Sequence, residues 1–288
     1  MNIKKLLRKT TQFFEEKNIP NARLDAEVLL ADLLDMERIK LYVNFDYPLK
    51  KNEIDEYRKR VVRRAKREPV SYIIGHKEFM SLDFKITEDV LIPRPETELL
   101  VENIIDYCEQ NDIKAPNIVE VGPGSGAIMV SLGHYLSQAK IFGIDISKKA
   151  VKLTRENIAK HDLEERLAVI NGDLLNPLIR KESKNVDIVV SNPPYVNNQE
   201  MKELSPEVKK EPKLALSGGE DGLDIYRKLI PQAAKVLKKE GLLALEIGYR
   251  QGEELKSIIL ENGEYNRVKV LKDHSGRERM VFARKKEK

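Results

Sequence analysis

The chain has 288 residues, of which 41% are hydrophobic and 34% charged, a balance that suits one large or two modest globular domains. No apolar run approaches the roughly 20 residues of a membrane span, and MNIKKLLRKTTQFFEE lacks the apolar h-region of a secretory signal. A single cysteine, Cys108, leaves no internal disulfide, and four dispersed histidines disfavour a zinc hydrolase, so a cytoplasmic protein without a structural metal is expected.

Residues 3–17 are predicted to form an amphipathic helix, because Ile3, Leu6, Leu7, Phe13 and Phe14 recur at helical spacing. Asn18 and Pro20 stop it. A second helix is predicted from about Asp25 to Met36, and a third from about Lys51 to Lys66. The third ends at Glu68-Pro69, since proline disfavours helix at the residue before it. Residues 1–75 carry 17 Lys or Arg and 12 Asp or Glu, a net of +5, whereas the whole chain is only +4. The excess is concentrated in Arg58 to Arg67. A solvated helix face is the favoured reading, and a docking surface for an acidic partner or nucleoprotein is the other. The whole-chain excess is too small to argue for nucleic-acid binding.

EFMSLDFKI (78–86) suggests a short hairpin. Pro95 then suits the first turn of a helix whose buried face holds Leu99, Leu100, Ile104 and Ile105. From Pro116 onward strands and helices alternate. Strands are predicted at 117–121, 140–145, 166–171, 186–191 and 241–248, with helices at 125–136, 147–161, 221–239 and 251–262. The last two strands, 265–273 and 279–284, have no helix between them and imply an antiparallel hairpin. The expected fold is therefore α/β, a doubly wound and mostly parallel sheet with a C-terminal antiparallel hairpin, plus a small N-terminal helical domain.

The first strand of the alternating region runs into Gly122-Pro123-Gly124-Ser125-Gly126. Glycines in a strand-to-helix turn let a ligand approach the backbone. Asp145 ends the next strand, about 20 residues on, where a carboxylate accepts from ribose hydroxyls. A helix N-cap is the structural alternative for Asp145, with Ser147 also able to cap. Asp173 follows the third strand at the same carboxyl edge, where a turn or cap role is equally open. Together these features favour an adenosine-containing ligand and leave two enzyme classes: an NAD dehydrogenase and an S-adenosylmethionine methyltransferase. The closing hairpin favours the second.

Ser191-Asn192-Pro193-Pro194-Tyr195 follows the fourth strand and so faces the same edge. An amide or exocyclic amine is a poor nucleophile, but it has two N–H donors. The Asn192 side-chain carbonyl and the Pro193 backbone carbonyl can accept both, and the two prolines restrict the backbone that carries them. Tyr195 offers an aromatic wall for a planar group. Catalysis by such a loop is orientation plus hydrogen bonding to a nitrogen that gains positive charge.

On EPVSYIIGHKEFMSLDF (68–84), LIPRPETELLV (91–101), VEVGPGSGAI (119–128), SNPPYV (191–196), EPKLALSGGEDGLDIYR (211–227) and DHSGRERMV (273–281), the chain resembles the release factor glutamine methyltransferase family. RLDAEVLLADLL (23–34) matches as well. The resemblance implies a class I S-adenosylmethionine methyltransferase domain over 94–288, a linker hairpin over 76–93 and a substrate-docking helical domain over 1–75. It implies that Gly122, Pro123, Gly124, Ser125, Gly126, Asp145, Asp173 and Asn192 hold S-adenosylmethionine, with Leu174 beside the adenine and S-adenosylhomocysteine as product. Asn192, Pro193, Pro194 and Tyr195 would hold the glutamine of the release factor's Gly-Gly-Gln loop, with Asn192, Pro193 and Tyr195 catalytic. Pro123 stands where the family often has threonine, so a hydroxyl contact is not expected there. Arg94 and Glu98 either lie against the methionine end of the cofactor or pair with each other at the domain junction. The expected partner is a peptide chain release factor, met by a monomer without membrane or direct nucleic-acid contact. A ribosomal-protein glutamine methyltransferase and an adenine-N6 nucleic-acid methyltransferase share the core motifs and stand as alternatives.

Overall fold

Asn2 opens the first helix, Ile3–Glu16, by accepting the Lys5 N–H on its side chain at 3.0 Å. Residues 1–287 are described in the computed structural model, and the chain divides into two units. One comprises Met1–His76 together with Ser205–Lys210, and the other the rest. Among the described residues no helix is long and apolar enough to cross a membrane.

The first unit is helical: Ile3–Glu16, Ala22–Leu33, Arg38–Val43, Lys51–Ala65 and Val70–Ile74. Leu7, Phe14, Leu29, Leu30, Leu41 and Tyr57 form its core. The second helix lies three residues earlier than its periodicity suggests. Asp35, at φ +49°, takes a left-handed conformation that aspartate tolerates, and the helix has already closed at the Leu34 cap. Arg38–Val43 is too short for its pattern to show in the sequence.

The basic stretch does not form one uniform face. Arg58 and Lys59 make exposed pairs with Asp55 and Glu56, as a solvated face would. Arg60 instead pairs with Asp32, and Arg63 with Glu68. Arg64, buried, holds Asp25 at 2.7 Å and Glu207 at 3.0 Å, and Arg67 also reaches Glu207 at 3.1 Å. All five arginines of the stretch are thus engaged in ion pairs within this unit.

The second unit opens with the hairpin of β1 (His76–Phe79) and β2 (Leu82–Lys85), apart from His76 itself. Then follow β3 (Asn117–Val121), β4 (Lys140–Asp145), β5 (Leu167–Asn171), β6 (Val186–Ser191), the short β7 (Val196–Asn197) and β8 (Ser217–Gly219), β9 (Leu237–Glu246), β10 (Tyr265–Lys272) and β11 (Glu278–Lys285). Seven of these form one sheet in the order β10-β11-β9-β6-β3-β4-β5. β3, β4, β5, β6 and β9 run parallel, and the closing pair is antiparallel, as the helix-free ending of the sequence requires. β9 starts at Leu237, where a helix end was predicted. It pairs with Val186 from that point, and a register shift follows with Glu240 at φ +60°.

Register positions the site. Val121 lies opposite both Ile144 and Ser191, and Ser191 lies opposite Leu245. One residue further along each strand, Gly122, Asp145, Asn192 and Glu246 therefore leave the sheet in one row at its carboxyl edge. β3 is also where the strand order reverses, the position at which open α/β sheets bind ligands.

Candidate active site

A cavity of about 420 Å³ opens at this edge. Its wall includes Gly122, Pro123, Gly124 and Ser125 from the glycine turn, with Asp145, Asp173, Leu174, Asn192, Pro193 and Pro194. Ser191 ties β6 to β3 here, its hydroxyl donating to the Val121 carbonyl at 2.7 Å. At Gly122 and Gly124 an added Cβ would meet no atom within 4 Å, so both face open space. Gly126 is not among the lining residues. At φ +83° it closes the turn against Thr154, whose Cγ2 would lie 2.9 Å from a Cβ.

The turn is held from behind by the helix Lys148–Lys160. Thr154 donates to the Gly124 carbonyl at 2.9 Å, and the Asn157 amide donates to the Ser125 carbonyl at 2.8 Å. Both side chains are fully buried. Neither follows a strand or a glycine turn in the sequence. Their signal is a pair of polar residues three apart on the apolar face of VKLTRENIAKH.

Asp145 accepts from the Gly124 N–H at 3.0 Å and from the Ser147 N–H at 2.8 Å. The cap of the following helix is Ser147, which takes the Ala150 N–H at 3.2 Å. Asp145 thus braces the turn rather than capping the helix. Burial pushes its pKa up, and the two N–H bonds pull it back. A carboxylate has about four acceptor sites, so roughly two remain for a ligand's hydroxyls.

Glu120, one residue before Val121, also lines the cavity and accepts the Met129 N–H at 2.9 Å. Burial raises its pKa to about 8. The folded state therefore holds a proton there that the unfolded chain releases near the ordinary glutamate value. This stabilising contribution is complete at low pH and is lost as pH rises through about 8. Glu120→Gln keeps an acceptor for Met129 but cannot titrate. Thermal unfolding of the variant is expected to depend less on pH between about 5 and 8 than that of the wild type; equal slopes would refute the assignment.

Asp173 is exposed and accepts from the Asn176 side chain at 3.1 Å. Leu174 adopts φ +47°, within the turn after β5. Asn192, Pro193 and Pro194 reach the cavity, but Tyr195 is not among its lining residues. The Tyr195 ring packs on the core cluster that contains Tyr226, and burial drives its hydroxyl up to about 12. The Tyr195 carbonyl takes the Gln251 side-chain N–H at 3.2 Å, as does the Gly222 carbonyl. A Cβ on Gly222 would fall 2.4 Å from the Tyr195 carbonyl oxygen. The glycine-rich run 217–222 is thus pressed against the backbone of the Asn-Pro-Pro-Tyr loop, and β7 pairs with β8 beside it.

Arg94 and Glu98 do not pair with each other. Arg94 lines the cavity and binds the buried Glu211, which also accepts the Ile92 N–H at 3.1 Å. Glu98 accepts the Met80 N–H at 2.9 Å and so fastens the β1–β2 turn. Between them in sequence lies Thr97, buried, whose hydroxyl oxygen accepts an Asn192 amide hydrogen at 3.3 Å. The Glu246 carboxyl adjoins both Thr97 and Asn192. Neither Thr97 nor Glu246 was singled out from the sequence. A lone acid ending the apolar strand LLALE was the available signal.

Residues 5–75 match the PrmC N-terminal domain, and residues 95–219 match the methyltransferase small domain. The catalytic domain of hMettl16 in complex with a MAT2A 3'UTR hairpin is similar in fold, with a TM-score of 0.57 at 18% identity over 83% of each chain. A release factor glutamine methyltransferase of Moorella thermoacetica is 39% identical over 100% of both chains. One from Clostridium acetobutylicum is 40% identical over 98% of both. A seven-stranded sheet of this topology, a ligand cavity at its switch point and full-length identity of this degree agree with the sequence motifs: the chain belongs to the release factor glutamine methyltransferase family.

Proposed function

We propose that the chain transfers a methyl group from S-adenosylmethionine to the side-chain amide nitrogen of the glutamine in the Gly-Gly-Gln loop of a peptide chain release factor. The observation that carries this reading is the Asn192 side chain. It lines the cavity in the same row as the glycine turn and Asp145, and its NH₂ group is engaged by Thr97.

The residues present suit the cofactor. The cavity is of ligand size, two glycines face open space beside it, and Asp145 retains acceptor capacity. Gly122, Gly124 and Ser125 would hold S-adenosylmethionine with Asp145, while Asp173 and Leu174 would flank the adenosine. When bound, the cofactor supplies an electrophilic methyl group. Asn192 and the Pro193 carbonyl accept the two hydrogens of the substrate amide and turn its nitrogen toward that methyl. The nitrogen gains positive charge as it is alkylated, so an acceptor fixed beforehand stabilises the transition state more than the ground state. The proton is then lost to solvent, and no strong base is needed beforehand. Tyr195 and Pro194 shape the loop around the substrate, and residues 1–75 dock the protein substrate.

The test is transfer of labelled methyl from S-adenosylmethionine to release factor, ribosomal protein, DNA and RNA in parallel, with mass mapping of the product. Label on the Gly-Gly-Gln glutamine is expected. Label confined to ribosomal protein or nucleic acid would replace this reading.

A further inference from the structure

β9 carries Glu246 to the sheet edge one residue beyond Leu245, the register partner of Ser191. Glu246 is only 1% exposed. Its carboxyl lies beside the Thr97 hydroxyl and the Asn192 amide, and its Oε2 has no hydrogen-bond partner. Asn192 also donates from Nδ2 to the Thr97 Oγ1 at 3.3 Å. The three side chains form one polar cluster. Thr97 takes a hydrogen from Asn192, and the Glu246 carboxyl is the anionic acceptor beside them. An amide whose hydrogens face these acceptors has its oxygen left to offer.

We propose that Glu246 is a positioning residue for the amide methyl transfer: its carboxylate, with Thr97, fixes the Asn192 carbonyl toward the substrate nitrogen and polarises it. The inference rests on the function proposed above. A negative charge behind the Asn192 NH₂ group pulls its hydrogens and leaves more negative charge on Oδ1. That oxygen faces the atom that becomes positive during transfer, so the polarisation acts most in the transition state.

The surroundings set when the charge is present. Arg279 from β11 faces Glu246, as do Glu96 from the helix Pro95–Gln110, Tyr195 from the loop after β6 and Tyr226 from the helix Asp224–Val236. Arg279 is itself paired with Asp273 at 3.3 Å, and its Nε has no hydrogen-bond partner. Burial raises the Glu246 pKa to about 7, against the opposing pull of Thr97, Arg279 and Asn192. Below that pH the carboxyl holds a proton, loses its charge and has a hydrogen of its own to place. Turnover therefore rises with pH through about 7 and levels above it.

Glu246→Gln keeps shape and an acceptor but not the charge. Turnover on intact release factor is expected to fall about 10- to 100-fold, the usual cost of removing a partner that orients a working ligand. The substrate KM and S-adenosylhomocysteine affinity should stay near wild type, and the pH profile should flatten between about 6 and 8. A second measurement needs no substrate. In asparagine-labelled wild-type protein, the Asn192 side-chain amide signals are expected to titrate with a midpoint near 7, and in Glu246→Gln they should not. Wild-type turnover and pH profile in the Gln variant, or Asn192 signals that do not move over this range, would overturn the proposal. A wild-type enzyme that methylates no release factor glutamine defeats the proposed function instead, and the titration still decides whether Glu246 acts on Asn192.

Discussion

Replacing Asn192 by alanine is expected to lower turnover on intact release factor by about 10²-fold or more, the scale of one lost transition-state hydrogen bond. The substitution leaves Asp145 and the glycine turn untouched, so S-adenosylmethionine affinity should change much less. Asn192→Asp separates acceptance from orientation. Aspartate keeps an acceptor of similar shape, but it cannot donate to Thr97, and it sets a second carboxylate against Glu246. Two adjacent carboxyls in a buried site favour a state in which one of them keeps a proton. The Asp variant is therefore expected to be nearly as poor as Ala. Wild-type turnover in the Ala variant at saturating cofactor would remove the Asn-Pro-Pro-Tyr loop from the mechanism.

Asp145→Ala is expected to weaken S-adenosylmethionine or S-adenosylhomocysteine binding by about 1–3 kcal/mol, the cost of charge-assisted hydrogen bonds left unmade. That corresponds to roughly 5- to 150-fold in affinity. Two effects contribute: the ribose hydroxyls lose their acceptor, and the Gly124 and Ser147 N–H groups lose theirs. Asp145→Asn keeps part of the second, because its carbonyl can still serve one of the two backbone donors. Calorimetry on both variants is the measurement. Unchanged affinity in Ala and Asn alike would leave Asp145 as a brace of the turn and nothing more.

The parallel strands were legible because buried strands are short apolar runs: NIVEV, KIFGID and VDIVVS lie where the sequence placed them. The cavity-facing glycines, Asp145 and Asn192 were legible because each directly follows or ends such a run. What escaped were partners brought together by register alone. Glu246 and Asn192 are 54 positions apart, and only the pairing of β6 with β9 makes them neighbours. Thr97 reaches them from a helix whose sequence says nothing about which strand it meets. Short elements such as Arg38–Val43 and β7 have too few residues to show a period. The Arg58–Arg67 stretch misled for the opposite reason: its charges are conspicuous in sequence, but their partners, Asp25, Asp32 and Glu207, lie at distant positions.

Glu207 reaches back across 143 positions to Arg64. The helical unit is therefore not finished when its last helix leaves the ribosome. During synthesis Arg64 has only Asp25 as a carboxylate partner until the chain has been extended past residue 207. The glycine turn, β4, β5 and the Asn-Pro-Pro-Tyr loop must all be made before that ion pair can close. The two units are accordingly nested in time rather than sequential. A gene cut after residue 76 would yield an N-terminal piece with a buried guanidinium short of one of its two carboxylates, and a C-terminal piece with Glu207 deprived of both arginines.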